Sequence, residues 1–150
     1  MSPILTLASG TPLNLTEAAN PSNSGGTADR PNLVGNLRAA TDPVASRSTH
    51  SLVEWFNTSA IQAQASGTYG NAPRNAIVAP HTVLLDAAIH KTLTFNEHLK
   101  AQLRLESFNV TNTPHFGSPG LDVGSPTSFG IISTTTGNPR QNQIALKLLF

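Results

Sequence analysis

The run Gln141-Asn-Gln-Ile-Ala-Leu-Lys-Leu-Leu-Phe150 constrains this chain more than any other stretch. Ile144, Leu146, Leu148 and Phe150 recur at every second position, with Gln143, Ala145 and Lys147 between them. Successive side chains of a strand point to opposite faces, so the spacing predicts a β-strand over 141–150 with one apolar and one mostly polar face. In water such a strand invites edge pairing. Against lipid the same apolar face is satisfied, and the run closes on the aromatic with no polar residue after it.

Two further stretches carry the same pattern. Within 82–95, Val83, Leu85, Ala87, Ile89, Leu93 and Phe95 share a face, while Asp86, His90, Thr92 and Thr94 take the other with Leu84 and Ala88. Within 99–108, Leu99, Ala101, Leu103 and Leu105 oppose Lys100, Gln102, Arg104 and Glu106. Residues facing each other across a hairpin lie on one face. A three-residue connection, Asn96-Glu97-His98, sets Phe95 against Leu99, Leu93 against Ala101 and Ile89 against Leu105. It also sets His90 against Arg104 and Thr92 against Gln102. A two-residue turn would place Leu93 against Lys100 and mix the faces. Lys91 alone interrupts the apolar face, near the hairpin end, where its stem can snorkel to a membrane boundary.

A fourth strand is expected over 4–15, broken by Gly10 and Pro12. The stretches 16–81 and 109–140 read as long loops crowded with turn formers such as Asn20-Pro21, Asn23-Ser24-Gly25-Gly26 and Asp42-Pro43. Ser51 to Ala65 could hold a helical turn or a short strand. The predicted class is therefore all-β and antiparallel: about four C-terminal strands of a transmembrane β-barrel, with long extracellular and short periplasmic connections.

Composition agrees. Only 11% of the residues are charged, against about 25% in ordinary globular domains. The net charge of +1, without a Lys/Arg cluster, gives no basis for nucleic-acid binding. Cysteine is absent, so disulfides and thiolate metal sites are excluded. No stretch approaches the roughly 20 apolar residues of a spanning helix, but spanning strands need only about 9 to 11. The first ten residues lack the basic start and apolar core of a secretory signal.

Chemistry-bearing constellations are weak. His50, His81, His90, His98 and His115 show no helical pairing and no neighbouring carboxylate cluster, so no metal site is expected. His90 instead joins Asp86, Arg104 and Glu106 in a polar lumen lattice. There is no Gly-x-Ser-x-Gly elbow, and Gly25-Gly26 precedes no phosphate-loop lysine. The Asn20 to Asp29 region lacks the spacing of an EF-hand loop and reads as turn chemistry. The chain is expected not to be an enzyme and to carry no cofactor. Trp55, Phe56 and Tyr69 form a possible ligand-contacting loop, since rings in an outward loop can stack on a sugar or peptide. Asn57, Asn109 and Asn112 lie in or near Asn-x-Ser/Thr patterns too short to establish glycosylation.

The order of several short pieces carries a resemblance. They are Ser9-Gly-Thr-Pro-Leu-Asn14, Asp29-Arg-Pro-Asn32, Trp55-Phe-Asn57, Tyr69-Gly-Asn71 with Arg74-Asn75, and Arg104-Leu-Glu-Ser-Phe-Asn-Val110. Asn112-Thr-Pro-His-Phe-Gly117, Phe129-Gly130 and Pro139-Arg-Gln141 complete the set. Together they resemble the C-terminal end of TonB-dependent outer-membrane receptors of the kind with a carboxypeptidase-regulatory-like domain. Ala88 and His90 depart from the Ser and aromatic expected there. The resemblance implies a location in the outer membrane and a role in nutrient uptake, as a piece that does not transport alone. It implies an assembly signal on Ile144, Leu146, Leu148 and Phe150, read by the barrel-assembly machinery. It also implies as partners the outer-membrane lipid, the plug and upstream barrel of the receptor, and the TonB system through those parts. The competing expectation is a soluble or surface-attached β-rich ligand-binding module, which requires two packed sheets that bury the apolar faces.

Overall fold

The computed structural model describes residues 1–37, 52–97 and 99–150. The chain forms two compact units. The first comprises 1–9, 81–115 and 136–150, and the second 10–80 and 116–135.

The first unit is built on a four-stranded antiparallel sheet. Its strands are β1 (Ser2–Ala8), β6 (Thr82–Thr94), β7 (Lys100–Phe108) and β10 (Gln141–Leu149), in the order β1-β6-β7-β10. The hairpin register is the one that face-matching requires: Leu93 pairs Ala101, Ile89 pairs Leu105, His90 pairs Arg104 and Thr92 pairs Gln102. The turn is closed by Phe95 N–H to the Leu99 carbonyl at 3.0 Å, and the Asn96 side chain accepts from Leu99 N–H at 2.7 Å. His98 lies outside the described residues. On the far side β10 sets Ile144 against Leu105, Leu146 against Leu103 and Leu148 against Ala101.

The stretch 4–15 is two strands, not one. β1 ends at Ala8, and Pro12–Leu13 forms a separate short strand, β2. The reason is Gly10, where a Cβ would run into the backbone of Ala79. The chain passes too close to Ala79 there for any side chain, and β2 then pairs with β5 (Ile77–Val78) in the second unit.

The long connections are not plain loops. In the second unit β3 (Asn32–Leu33) pairs with β4 (Ile61–Gln62), preceded by a 3₁₀ turn at Thr58–Ala60 that Asn57 caps by accepting from Ser59 N–H. β8 (His115–Phe116) and β9 (Thr135–Thr136) form another ribbon, of which His115 and Thr136 are counted with the first unit. A core of Leu15, Phe56, Ile61, Ala72, Ile77 and Phe129 holds the unit, with the Phe56 and Phe129 rings edge-to-face at 5.2 Å. Five non-glycine residues have positive φ among the described residues, and all are asparagine: Asn20, Asn23, Asn75, Asn109 and Asn112. Asparagine tolerates this region because its side chain can bond locally.

Candidate membrane-facing surface and inner wall

Every register above places apolar residues on one side of the sheet. Leu5 and Leu7 on β1 align with Leu85 and Val83 on β6. Ile89 and Leu93 align with Leu105 and Ala101 on β7, and these with Ile144 and Leu148 on β10. This face is open rather than packed. Ile144 is 74% exposed, Leu146 65% and Phe150 fully exposed, and Leu5, Leu7, Ile89, Leu93, Leu103, Leu105 and Leu148 are exposed as well. Leaving one such side chain in water instead of an apolar medium forgoes roughly 1.5–3 kcal/mol, so a row of this size calls for a non-aqueous neighbour. Lys91 sits on the same face opposite Leu103, toward the Asn96 turn. At the other end of the face Ser107 donates its hydroxyl to the Asn142 side chain at 2.8 Å.

The opposite face carries most of the charged and amide side chains, with Ile4, Leu84, Ala88, Ala145 and Leu149 among them. Arg104 is its centre: its Nε donates to His90 Nε2 at 3.2 Å, and its guanidinium pairs with Glu106 at 2.8 Å. Gln102 stands across from Thr92 and Lys147, and Gln143 across from Glu106. Of the four residues grouped in sequence by alternation, His90, Arg104 and Glu106 are brought together, while Asp86 accepts from Asn109 N–H instead. The other histidines are dispersed. His81 is exposed, His115 bonds the Val83 carbonyl, and His50 and His98 lie outside the described residues. Among the described residues no three metal-binding side chains cluster.

The three aromatics of the second unit separate. Phe56 is only 4% exposed and belongs to the core. Trp55 is half-buried, its indole N–H held by the Val78 carbonyl at 2.7 Å. Tyr69 alone projects outward, 75% exposed.

The recurrent short motifs are mutual clasps. Leu33 N–H binds the Asn71 side chain at 2.6 Å, Asn71 N–H binds the Asn32 side chain, and Ala72 N–H binds the Pro31 carbonyl. Gly70 lacks a Cβ because the backbone of Arg30 and Pro31 occupies that space. Trp55 N–H likewise binds the Gly130 carbonyl at 2.7 Å. In the first unit Arg140 N–H binds the Asn112 side chain, and the Arg140 guanidinium reaches the Val110 carbonyl.

One cluster went unnoticed in the sequence. β7 ends as Asn109 turns left-handed, and the chain beyond it covers the edge of β6 that β7 has left. Asn109 N–H binds the Asp86 carboxylate, Val110 N–H the Leu85 carbonyl, and the His115 ring the Val83 carbonyl. Its only sequence signal was the unusual concentration of Asn and Thr over 109–113.

A family model described as an outer membrane beta barrel domain matches residues 1–143. The chain belongs to this outer membrane β-barrel family. Comparison with curated proteins and with solved structures returned no match. The chain's location is the outer membrane. No described helix is long and apolar enough to cross a membrane, and none is needed, since barrels cross with strands. For a barrel-family sheet the exposed apolar face is the lipid side and the face of Arg104 the inner wall, because barrel strands alternate apolar-out and polar-in. With nine to thirteen residues each, β6, β7 and β10 meet the length that crossing requires.

Proposed function

We propose that this chain is the C-terminal barrel portion of a TonB-dependent receptor that takes up a nutrient across the outer membrane. The observation that carries the reading is the open four-stranded sheet, apolar on one side and polar on the other. Single-chain barrels begin at about eight strands, so further strands must pair with β1 and β10 before the inner wall encloses a lumen. An unpaired edge in lipid would leave backbone groups without partners. The piece alone therefore does not transport, and it performs no catalysis.

The order of the short motifs supports the receptor type, as does their clasping in pairs, since each piece has a partner that constrains it. Ile144, Leu146, Leu148 and Phe150 form the continuous row we assign to the barrel-assembly machinery. The remaining partners in this reading are lipid, the rest of the receptor and, through it, the TonB system; nucleic acid is not among them. The soluble-module alternative would bury the apolar faces between two sheets, whereas this face is exposed.

An immunoblot of the outer-membrane fraction of the native cells, with an antibody against the 111–140 segment, tests the reading. A band several times larger than a 150-residue chain is expected. A band of the chain's own size, or one in the soluble fraction, overturns it.

A further inference from the structure

Where β6 and β7 part, the inner-wall side of the first unit holds a cavity of about 380 Å³. Asp86, Phe108, His115, Gln141, Leu84 and Asn109 contribute to its lining, and no Lys or Arg among the described residues does. That volume lies within the usual range for small-molecule sites, roughly 300–1,000 Å³.

The lining offers acceptors at Asp86 and His115, while the Gln141 and Asn138 amides can donate as well as accept. One oxygen of Asp86 takes the Asn109 N–H at 2.8 Å, which orients the carboxylate and leaves its second oxygen available. His115 Nε2 faces the Val83 carbonyl at 3.1 Å, and a carbonyl only accepts, so Nε2 carries the proton. In the neutral ring Nδ1 is then a lone-pair acceptor. Gly137 flanks it with φ at +76°, and a Cβ there would lie 3.2 Å from Nδ1, so glycine keeps this nitrogen uncrowded. Asn109 spends its amide on Thr113 and Asn138 and offers the cavity no donor. The nearest cation along the chain, Arg140, is turned to the Val110 carbonyl.

A carboxylate that no cation pairs among the described residues, a lone-pair nitrogen and an aromatic ring form a site for a positively charged ligand that donates hydrogen bonds. Ammonium binds carboxylate by charge-assisted hydrogen bonds, and aromatic surfaces favour cations. We propose that this cavity is a binding subsite for a small organic cation carrying a primary ammonium, with Asp86 as its counter-ion and His115 Nδ1 as a second acceptor. The inference uses the barrel assignment only for the cavity's opening toward the lumen, and does not depend on the receptor type.

The test is an NMR titration, in detergent micelles, of the closed barrel that contains this chain. The bonded Nε2–H of His115 reports that the cavity is formed. Addition of n-butylammonium is expected to shift the His115 and Phe108 ring signals saturably at millimolar concentration, while n-butanol, its neutral counterpart, leaves them unmoved. Asp86→Asn keeps an oxygen for Asn109 N–H and removes the charge; it is expected to weaken ammonium binding about tenfold or more. Equal shifts with the alcohol, unweakened binding in Asp86→Asn, no shift with the ammonium, or absence of the bonded Nε2–H would each overturn the proposal. None of these outcomes alters the size of the band on the immunoblot, so the receptor reading stands or falls separately.

Discussion

Asn109 stands at φ 51° and gives its backbone N–H to the Asp86 carboxylate at 2.8 Å. That single bond ends the pairing of β7 with β6 and begins the cover over the freed edge. The Asn109 side chain completes the turn, accepting from Thr113 N–H and donating to the Thr113 and Asn138 carbonyls.

Asn109→Ala is therefore expected to lose stability on two accounts. Buried groups left unpaired cost about 1–3 kcal/mol, and a strained left-handed residue about 1 kcal/mol or more. Asn109→Gly should recover the second part only. Urea titration of the closed barrel that contains this chain, reconstituted in bilayers, should rank wild type above Gly and Gly above Ala; an Ala variant as stable as wild type would contradict the role.

Neighbouring positions on β7 should respond oppositely to one substitution. Leu103 lies on the lipid face and Gln102 on the inner wall. Leu103→Arg is expected to cost about 2–4 kcal/mol if it lies near the bilayer midplane, and Gln102→Arg close to nothing. The same titration measures both, and equal losses would reverse the assignment of faces.

In the second unit, Phe56→Ala should cost about 3–5 kcal/mol, since it empties a core position against Phe129. Tyr69→Ala should change stability by no more than about 0.5 kcal/mol. Thermal unfolding followed by tryptophan fluorescence separates them, because Trp55 belongs to the same unit.

Asp122 makes part of that unit sensitive to acid. Backbone N–H groups of Ala18 and Gly124, and the Ser125 hydroxyl, hold its carboxyl below the usual 3.8, against a small opposing effect of burial. A depressed folded value means the stabilisation is present above the ordinary carboxylate range and disappears as pH falls through the folded value. Wild type should therefore exceed Asp122→Asn in urea midpoint at pH 6, with the gap closing below pH 3.8. A gap that is constant with pH would exclude the carboxylate as its source.

The hairpin was legible because period two and polarity admit one register only: Leu93 against Lys100 would have mixed faces, and the chain contains no such pair. The lipid-facing row on β10 was legible for the same reason. The break within 4–15 was legible at Gly10 and Pro12, but its cause, the approach of Ala79 to Gly10, was not, because no local pattern encodes it. Trp55, Phe56 and Tyr69 look alike as aromatics. Their separation into a tethered indole, a core ring and an exposed phenol depends on Val78 and Phe129, far along the chain. The Asp86, Asn109 and His115 cluster eluded sequence reasoning because its residues share no spacing and meet only where one strand departs from another.

Among the described residues, the use of asparagine at every left-handed position other than glycine bears on how the chain reaches its fold. Glycine at those five sites would add conformational freedom to the unfolded polypeptide, all of which must be surrendered on folding. Asparagine narrows that search in advance. For a barrel-family protein whose apolar face is satisfied only once it meets lipid, a chain that wanders less before insertion has less far to come.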